Sequence, residues 1–445
     1  MKGLSSPTNV STKLQRIAEL ARNRPKAVLT TLAHHIDIDF LREAYRRTRK
    51  GGATGVDGTT AEEYALHLEE NLQGLLDRFK TGEYRAPPVK RVHIPKGDGK
   101  TRPLGIPTFE DKVLQRAVAM VLEAVYEQDF LPCSFGFRPG RSAHGALGTL
   151  RNGLMEMKGG WVLELDIQRF FDTLDRGHLR NILDQRVRDG VLRRAIDKWL
   201  KAGVLEDGGL TYPDSGTPQG GVISPLLANI FLHDVLDEWF EREVKPRLAG
   251  PAFLVRYADD AVIAFSLETD ARRVMDVLPK RFGKHGLTLH PEKTRLVRFQ
   301  RPAPKRGSNG SVESGAFDLL GFTHHWVKSK KGNWVIKQKT AKGRFQRALK
   351  RITEWCKEHR HMPVRKQQQG LALKLRGHYG YFGITGNSRA VSRFSHWVRG
   401  IWRKWLDRRS QQRHMPWERF GQFLKRYPLP PPHLRSLPLP HAAKP

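Results

Sequence analysis

Apolar residues recur at three- and four-residue intervals from the start of the chain: Leu14, Ile17, Leu20 and Ala21, then Leu41, Ala44 and Tyr45. That period predicts amphipathic helices. It returns through 110–128, 178–202, 226–244 and 269–285. Three stretches read instead as strands. Residues 161–167 (WVLELDI) alternate before a polar break, and 253–257 and 261–265 are short apolar runs on either side of an Asp-Asp pair. Strands separated by helices of unequal length, with one antiparallel hairpin, predict α+β rather than a doubly wound sheet. After about residue 342 strand patterns stop, and a helical bundle is predicted. Residues 301–315 (RPAPKRGSNGSVESG) predict a surface loop. The Pro-rich 427–445 predicts an extended or disordered tail. No repeat of about 20–50 residues is present, which argues against a solenoid. The 445 residues correspond to about three domain-sized units.

Charge changes the picture. Lys plus Arg number 78 against 45 Asp plus Glu, a net charge of +33. Such a surface attracts polyanions, with nucleic acid the first candidate. Residues 341–445 alone hold 24 Lys/Arg and four Asp/Glu, interleaved with Trp355, Tyr379, Tyr381, Phe382, Phe394, Trp397, Trp402, Trp405, Trp417 and Phe420. Cations neutralise phosphates while aromatic rings pack or stack on bases, so this segment is expected to bind RNA or DNA. A hydrophobic fraction of 39% argues against disorder throughout. The most apolar helical run, 117–125, is short and contains Glu123, so no membrane span is expected. Residues 1–7 lead into no apolar segment, so no secretory signal is expected. The first 36 residues contain one acid, Glu19, among several basic residues. That imitates an organellar leader, but a basic arm on an RNA-binding protein is the expected reading. Cys133 and Cys356 are too few for a disulfide framework or a four-cysteine zinc site.

The sharpest feature is Tyr257-Ala258-Asp259-Asp260, between FLVR and AVIAF. An isolated Asp-Asp is usually a surface turn. Between two apolar strands, adjacent carboxylates need compensation, which a tight turn and divalent cations supply. Asp166 ends the WVLEL strand. Adjacent strands would bring it to the Asp-Asp pair, giving an oxygen-lined site suited to Mg²⁺ held together with substrate phosphates.

In this setting Tyr257-Ala258-Asp259-Asp260 resembles the catalytic loop of reverse transcriptases. The further matches resemble the group II intron reverse transcriptase–maturase family of bacteria and organelles, over roughly residues 36–425. They run in order as 52–58 (GATGVDG), 94–107 (IPKGDGKTRPLGIP), 134–141 (SFGFRPGR), 166–172 (DIQRFFD), 216–225 (GTPQGGVISP), 286–294 (GLTLHPEKT), 319–322 (LLGF), 377–389 (GHYGYFGITGNSR) and 393–409. GDGKT imitates the end of a P-loop, but Ile94 stands where its first glycine is required. The Gln-Gly after Pro218 argues against the diversity-generating branch. His378, Asn387 and His396 lack the cysteine knuckles of an HNH nuclease.

The resemblance implies right-hand fingers and palm with an antiparallel palm sheet, followed by an all-α thumb or maturase domain. The bounds expected are 1–35 for a basic helical arm, 36–335 for fingers and palm, 336–425 for the thumb and 426–445 for the tail. It implies that Asp166, Asp259 and Asp260, with the Ile167 carbonyl, hold two Mg²⁺ ions. Lys96, Arg102, Phe171, Gln219 and Lys293 are implied to contact the dNTP. Phe171 would exclude a 2′-hydroxyl, while Phe170 is expected to pack in the core. Leu320, Gly321 and Phe322 are implied to grip the primer. Arg138, Arg141, Arg376, His378, Tyr379, Arg389, Arg393, Arg399, Arg403 and Lys404 are expected to contact RNA. Implied partners are group II intron RNA or another RNA template, a DNA primer or target, and dNTPs, with no membrane. No C-terminal nuclease domain is expected after the thumb. Two rivals share most of these motifs: a maturase that no longer polymerises, and a related polymerase recruited to defence or DNA repair.

Overall fold

The structure is a computed structural model describing residues 7–95, 101–212, 216, 220–302, 314–409 and 414–436. Among these the strands, in chain order, begin with β1 (Val89–Pro95), β2 (Thr101–Ile106), β3 (Trp161–Leu165), β4 (Val204–Glu206), β5 (Gly209–Thr211) and β6 (Ala252–Tyr257). They continue with β7 (Asp260–Phe265), β8 (Arg295–Arg298), β9 (Phe317–Leu319), β10 (Phe322–Lys328) and β11 (Trp334–Thr340). Three sheets result, ordered β2-β1-β4-β5, β6-β7-β3-β8 and β11-β10-β9. The architecture is α+β with an all-helical C-terminal region, as the sequence pattern predicts.

The second sheet positions the carboxylates. A Cβ on Gly160, just before β3, would lie 2.1 Å from the carbonyl oxygen of Phe265 at the far end of β7. Gly160 also exchanges backbone hydrogen bonds of 2.8 and 3.2 Å with Phe299, just past β8. Strand β3 therefore runs antiparallel to both neighbours. Its C-terminal end, with Asp166, lies beside the first residues of β7 and β8.

The chain forms two compact units. The first comprises Met1–Ser142, Leu163–Ile263 and Thr269–Arg295; the second comprises Ala143–Val162, Ala264–Glu268 and Leu296–Pro445. In the first unit the helix Phe109–Tyr126 is buried over most of its surface, with Lys112, Arg116 and Glu123 on a half-buried face and the Thr108 hydroxyl capping it by accepting from the Asp111 N–H. Polar groups on its buried faces need partners inside the protein. Asp111 accepts the Trp199 indole N–H at 2.8 Å and the Tyr84 hydroxyl. Gln115 Oε1 accepts the Val222 N–H at 2.8 Å.

Two predicted helices differ in form. The 178–202 pattern is two helices, Arg176–Asp184 and Gly190–Leu200. Asp189 starts the second, one carboxylate oxygen accepting from Val191 and Leu192 and the other from Leu32 and Ala33. The 226–244 pattern is an α-helix, Ser224–Leu232, that widens into π-helical turns over His233–Val244. Such turns are rare and concentrate at functional sites.

In the second unit, the helices Lys342–Glu358, Val364–Phe382, Ser388–Asp407 and Trp417–Arg426 enclose Leu371, Leu375, Tyr379, Phe394, Trp402 and Phe420. Burying a side chain the size of Phe394 contributes roughly 2–3 kcal/mol. The first part of the Pro-rich segment is anchored. Leu429 is buried, and the Arg435 N–H reaches the Gly383 carbonyl at 2.7 Å. Residues 437–445, and 303–313 of the predicted loop, lie outside the described residues. Both cysteines are free and buried. Among the described residues no helix is long and apolar enough to cross a membrane.

Candidate active site

The Asp-Asp pair sits on a two-residue turn. Strand β6 ends at Tyr257, Ala258 and Asp259 make the turn, and Asp260 opens β7. Ala258 adopts φ 57°, the left-handed region that glycine normally supplies in a tight hairpin. A non-glycine residue there costs about 1 kcal/mol or more and persists only where surrounding contacts demand it.

Those contacts are buried polar groups. Arg256 is fully buried, and its Nη1 donates to the Ala258 carbonyl at 3.0 Å and to Asn229 Oδ1 at 2.9 Å. Its Nε and Nη2 make a bidentate pair with Asp237 at 2.7 and 2.5 Å. Asn229 Nδ2 donates in turn to the Gly136 carbonyl at 2.6 Å. A Cβ on Gly136 would stand 2.3 Å from the Ala258 nitrogen, so glycine is the residue that fits against the turn. The sequence reading did not name Arg256, Asp237 or Asn229 as site residues. The available signal was Arg256 itself, a charge inside the apolar run FLVRY, which must be paired if that strand is buried.

Asp166 follows β3, where its backbone carbonyl accepts the His290 N–H at 2.7 Å. Its carboxylate is paired with Lys293 Nζ at 2.8 Å, with side chains 35% and 60% exposed. Lys293, expected near the nucleotide, thus places an ammonium on a carboxylate expected to bind metal. Ile167 pairs with Leu289 in an antiparallel bridge. Phe170 is buried, as expected, and Phe171 is half-buried with its ring edge-on to Phe170 at 5.3 Å. Gly216 lies against this point, since a Cβ there would meet the carbonyls of Asp172 and Phe171 at 2.6 and 2.7 Å. Gly220 sits against the Gly105 carbonyl on β2, at 2.7 Å from its would-be Cβ. At both glycines the backbone approached is the protein's own. Arg102 lies exposed on β2 opposite Ile94. Lys96 and Gln219 lie outside the described residues.

In the second unit, Leu320 (φ 50°) and Gly321 (φ 80°) form the turn between β9 and β10. Phe322 is fully buried against Leu147 and Ile384. The Leu320 carbonyl accepts the Tyr381 hydroxyl at 2.7 Å.

The expected RNA contacts divide. Arg138 is a correction: it is 7% exposed, and its guanidinium is taken by Glu127 and the carbonyls of Leu131 and Ser134. Tyr379 is a second, with no exposure and its ring inside the helical core. His378 is half-buried and stacked on Phe394 at 3.6 Å. Burial holds its pKa down, at about 4. Asn387 is buried too, its amide bonded to Thr340 and Phe382. Arg399 and Arg403 are half-buried, with Arg403 over the Trp417 ring at 4.3 Å. Arg141, Arg376, Arg389, Arg393 and Lys404 are exposed. On Ser388–Asp407, Arg389, Arg393, Trp397 and Lys404 share one face at helical spacing, and Trp397 is 53% exposed. The other aromatics of that helix, Phe394, Trp402 and Trp405, turn into the core.

Comparison with known proteins finds two matching families along the chain. Residues 94–324 match the family described as Reverse transcriptase (RNA-dependent DNA polymerase), and residues 345–423 match Group II intron, maturase-specific domain. Protein YkfC of Escherichia coli (strain K12) is 39% identical over 232 residues, covering 51% of this chain and 61% of that protein. Group II intron-encoded protein LtrA of Lactococcus lactis subsp. cremoris is 38% identical over 248 residues, covering 53% of this chain and 40% of that protein. Nuclear intron maturase 2, mitochondrial, of Arabidopsis thaliana is 29% identical over 175 residues, covering 31% of this chain and 24% of that protein. The chain thus spans less than two thirds of the length of each of these relatives.

Proposed function

The chain belongs to the reverse transcriptases that carry a group II intron maturase-specific domain, and from that premise we propose that it copies RNA into DNA and holds intron RNA on its C-terminal helices. One observation carries the polymerase reading: Asp166 and the Asp259-Asp260 turn lie at the same end of adjoining strands.

The donor set fits magnesium, because it offers carboxylate oxygens and, at Ile167, a backbone carbonyl. Among the described residues no group of three or more His, Cys, Asp or Glu is preassembled for a metal. Magnesium is commonly held by one or two carboxylates, with substrate phosphates and water completing its shell. Asp166 and Asp259 would hold two such ions, with Asp260 assisting more loosely. Bound magnesium lowers the pKa of the attacking hydroxyl and neutralises phosphate charge.

The protein's own work is positioning and charge placement. Arg102 and Lys96 offer cations to the triphosphate of the incoming nucleotide. Phe171 sits below the sugar and clashes with a 2′-hydroxyl, and Gln219 orients the nucleotide. Lys293 keeps a positive charge at Asp166 and is placed to meet the departing pyrophosphate. The primer's 3′-hydroxyl attacks the α-phosphate and expels pyrophosphate, while the Leu320–Gly321 turn, anchored by the buried Phe322, holds the primer end. Arg389, Arg393 and Lys404, around the exposed Trp397, offer phosphate neutralisation beside a stacking surface. Retention of all three carboxylates favours polymerisation over RNA binding alone.

The test is Mg²⁺-dependent extension of a DNA primer on an RNA template, comparing wild type with Asp259→Ala. Extension should vanish in the variant while RNA affinity stays within about twofold. Extension that survives the substitution removes the assignment of the catalytic carboxylates. A folded, RNA-binding wild type that never extends leaves the maturase role alone.

A further inference from the structure

We propose that Phe137 stacks on a nucleotide of the template–primer held at the carboxylate turn, a contact made from the SFGFRPGR loop rather than from the palm hairpin. The loop reaches the turn by running beside β6. Ser134 forms a parallel bridge with Arg256, the Phe135 N–H donates to the Arg256 carbonyl at 2.8 Å, and the Arg256 N–H donates to the Cys133 carbonyl at 2.8 Å. Gly136 then abuts the turn backbone, with its carbonyl held by Asn229. Phe137 comes next. Its ring lies 6.4 Å from the ring of Tyr257, the residue that leads into the two aspartates.

Two properties of Phe137 are costs to the fold. It is 57% exposed, so much of its apolar surface stays in water. Its φ is 55°, a conformation strained for a bulky side chain. Glycine would remove both costs at this position. A ring that folding does not favour, pinned beside a candidate catalytic turn, has its reason in what it touches. A flat apolar ring serves the π-face of a base, which aromatic side chains accept whatever the sequence. The surroundings suit that occupant: Arg141, exposed four residues on, and a chain of net charge +33 both favour a phosphate backbone. Sequence reading assigned the chemistry of this loop to its arginines, yet Arg138 is consumed internally while Phe137 faces outward.

This inference rests on the polymerase reading and can fail separately from it. The experiment measures affinity for a labelled RNA template–DNA primer, extension kinetics and the thermal midpoint, for wild type, Phe137→Gly and Phe137→Trp. Phe137→Gly should melt at or above the wild-type temperature, because it relieves the strain. It should bind template–primer roughly 5- to 100-fold more weakly, with the loss appearing in KM more than in kcat. Phe137→Trp keeps a stacking face and should restore affinity to within about threefold of wild type. The proposal is overturned if Phe137→Gly binds and extends like wild type, or if Phe137→Trp falls as far as glycine. If wild type binds template–primer but does not extend it, the polymerase reading fails while the binding comparison still decides Phe137. A wild type that binds no template–primer overturns both.

Discussion

Replacing Arg256 with methionine should separate the stability of this protein from its catalysis. The substitution removes a fully buried guanidinium and strands the Asp237 carboxylate, also fully buried, without the bidentate contacts of 2.7 and 2.5 Å. Breaking one side of a buried pair costs about 3–5 kcal/mol, most of it the penalty for an uncompensated charge. Changing Asp237 to leucine in the same chain removes that charge. The Arg256→Met/Asp237→Leu protein should therefore recover most of the loss. It should remain about 1–3 kcal/mol below wild type, because Asn229 Oδ1 and the Ala258 carbonyl still lack their donor. Catalysis should not recover, since the contact holding Ala258 at φ 57° is gone in both variants. A displacement of the carboxylates by about 1 Å is expected to lower extension about 100-fold. Urea denaturation measures the first quantity, and primer extension at 25 °C, where both proteins stay folded, measures the second. The reasoning fails if Arg256→Met costs less than about 1 kcal/mol, or if the double variant regains extension together with stability.

Two further outcomes are expected. Phe171→Ala should relax discrimination against ribonucleotides by at least about tenfold with dNTP incorporation retained, because the half-buried ring is the bulk proposed to meet a 2′-hydroxyl. Competition between dNTP and rNTP measures it, and unchanged selectivity assigns the ring to packing against Phe170. Acid should destabilise the fold. Burial lowers the pKa of His233 to about 4, of His324 to about 3 and of His378 to about 4, from an ordinary 6.5. Below about pH 6.5 the unfolded chain takes up protons that the folded chain refuses, so stability present at neutral pH is lost as pH falls toward 4. Burial raises Asp111 to about 6, and also raises Glu110, Glu123, Asp129 and Glu238, which acts in the opposite direction. Burial lowers His35, His285 and His325, and the Arg46 and Arg47 contacts hold Glu43 at about 2, which act with the three histidines. For His324 alone the loss at pH 5 is about 2 kcal/mol. Urea midpoints at pH 7.5 and 5.0 should differ, and less so in His324→Leu. Equal pH dependence in wild type and that variant would refute the assignment to His324.

Much of the fold was legible because its elements carry strong periods. The helix Phe109–Tyr126 and the strands flanking Asp259-Asp260 follow the pattern of their side chains closely. Other elements hid for physical reasons. Strand β10 turns Phe322, His324 and Trp326 inward, and a histidine at a buried position erases the alternation that marks a strand. Strands β4, β5 and β9 are three residues each, too short to show a period. The break within 178–202 depends on Asp189 capping one helix while bonding to Leu32 and Ala33, a contact far away in sequence.

For the site, sequence alone determined the chemistry on offer: three carboxylates in a setting that suits divalent cations, a bulky ring at Phe171, and an excess of cations toward the C-terminus. Those follow from residue type and local spacing. Tertiary structure decided which groups face solvent and which hold the frame. Arg138 and Tyr379 were turned inward: Glu127 and the carbonyls of Leu131 and Ser134 compensate the buried guanidinium, and the ring gains by leaving water on a helix's core face. Arg256, Asp237, Asn229 and Gly136, scattered over 121 positions of chain, meet at one strained turn. No local pattern encodes that meeting. It arises because buried polar groups must find partners, and the partners are whatever the packed fold brings within about 3 Å.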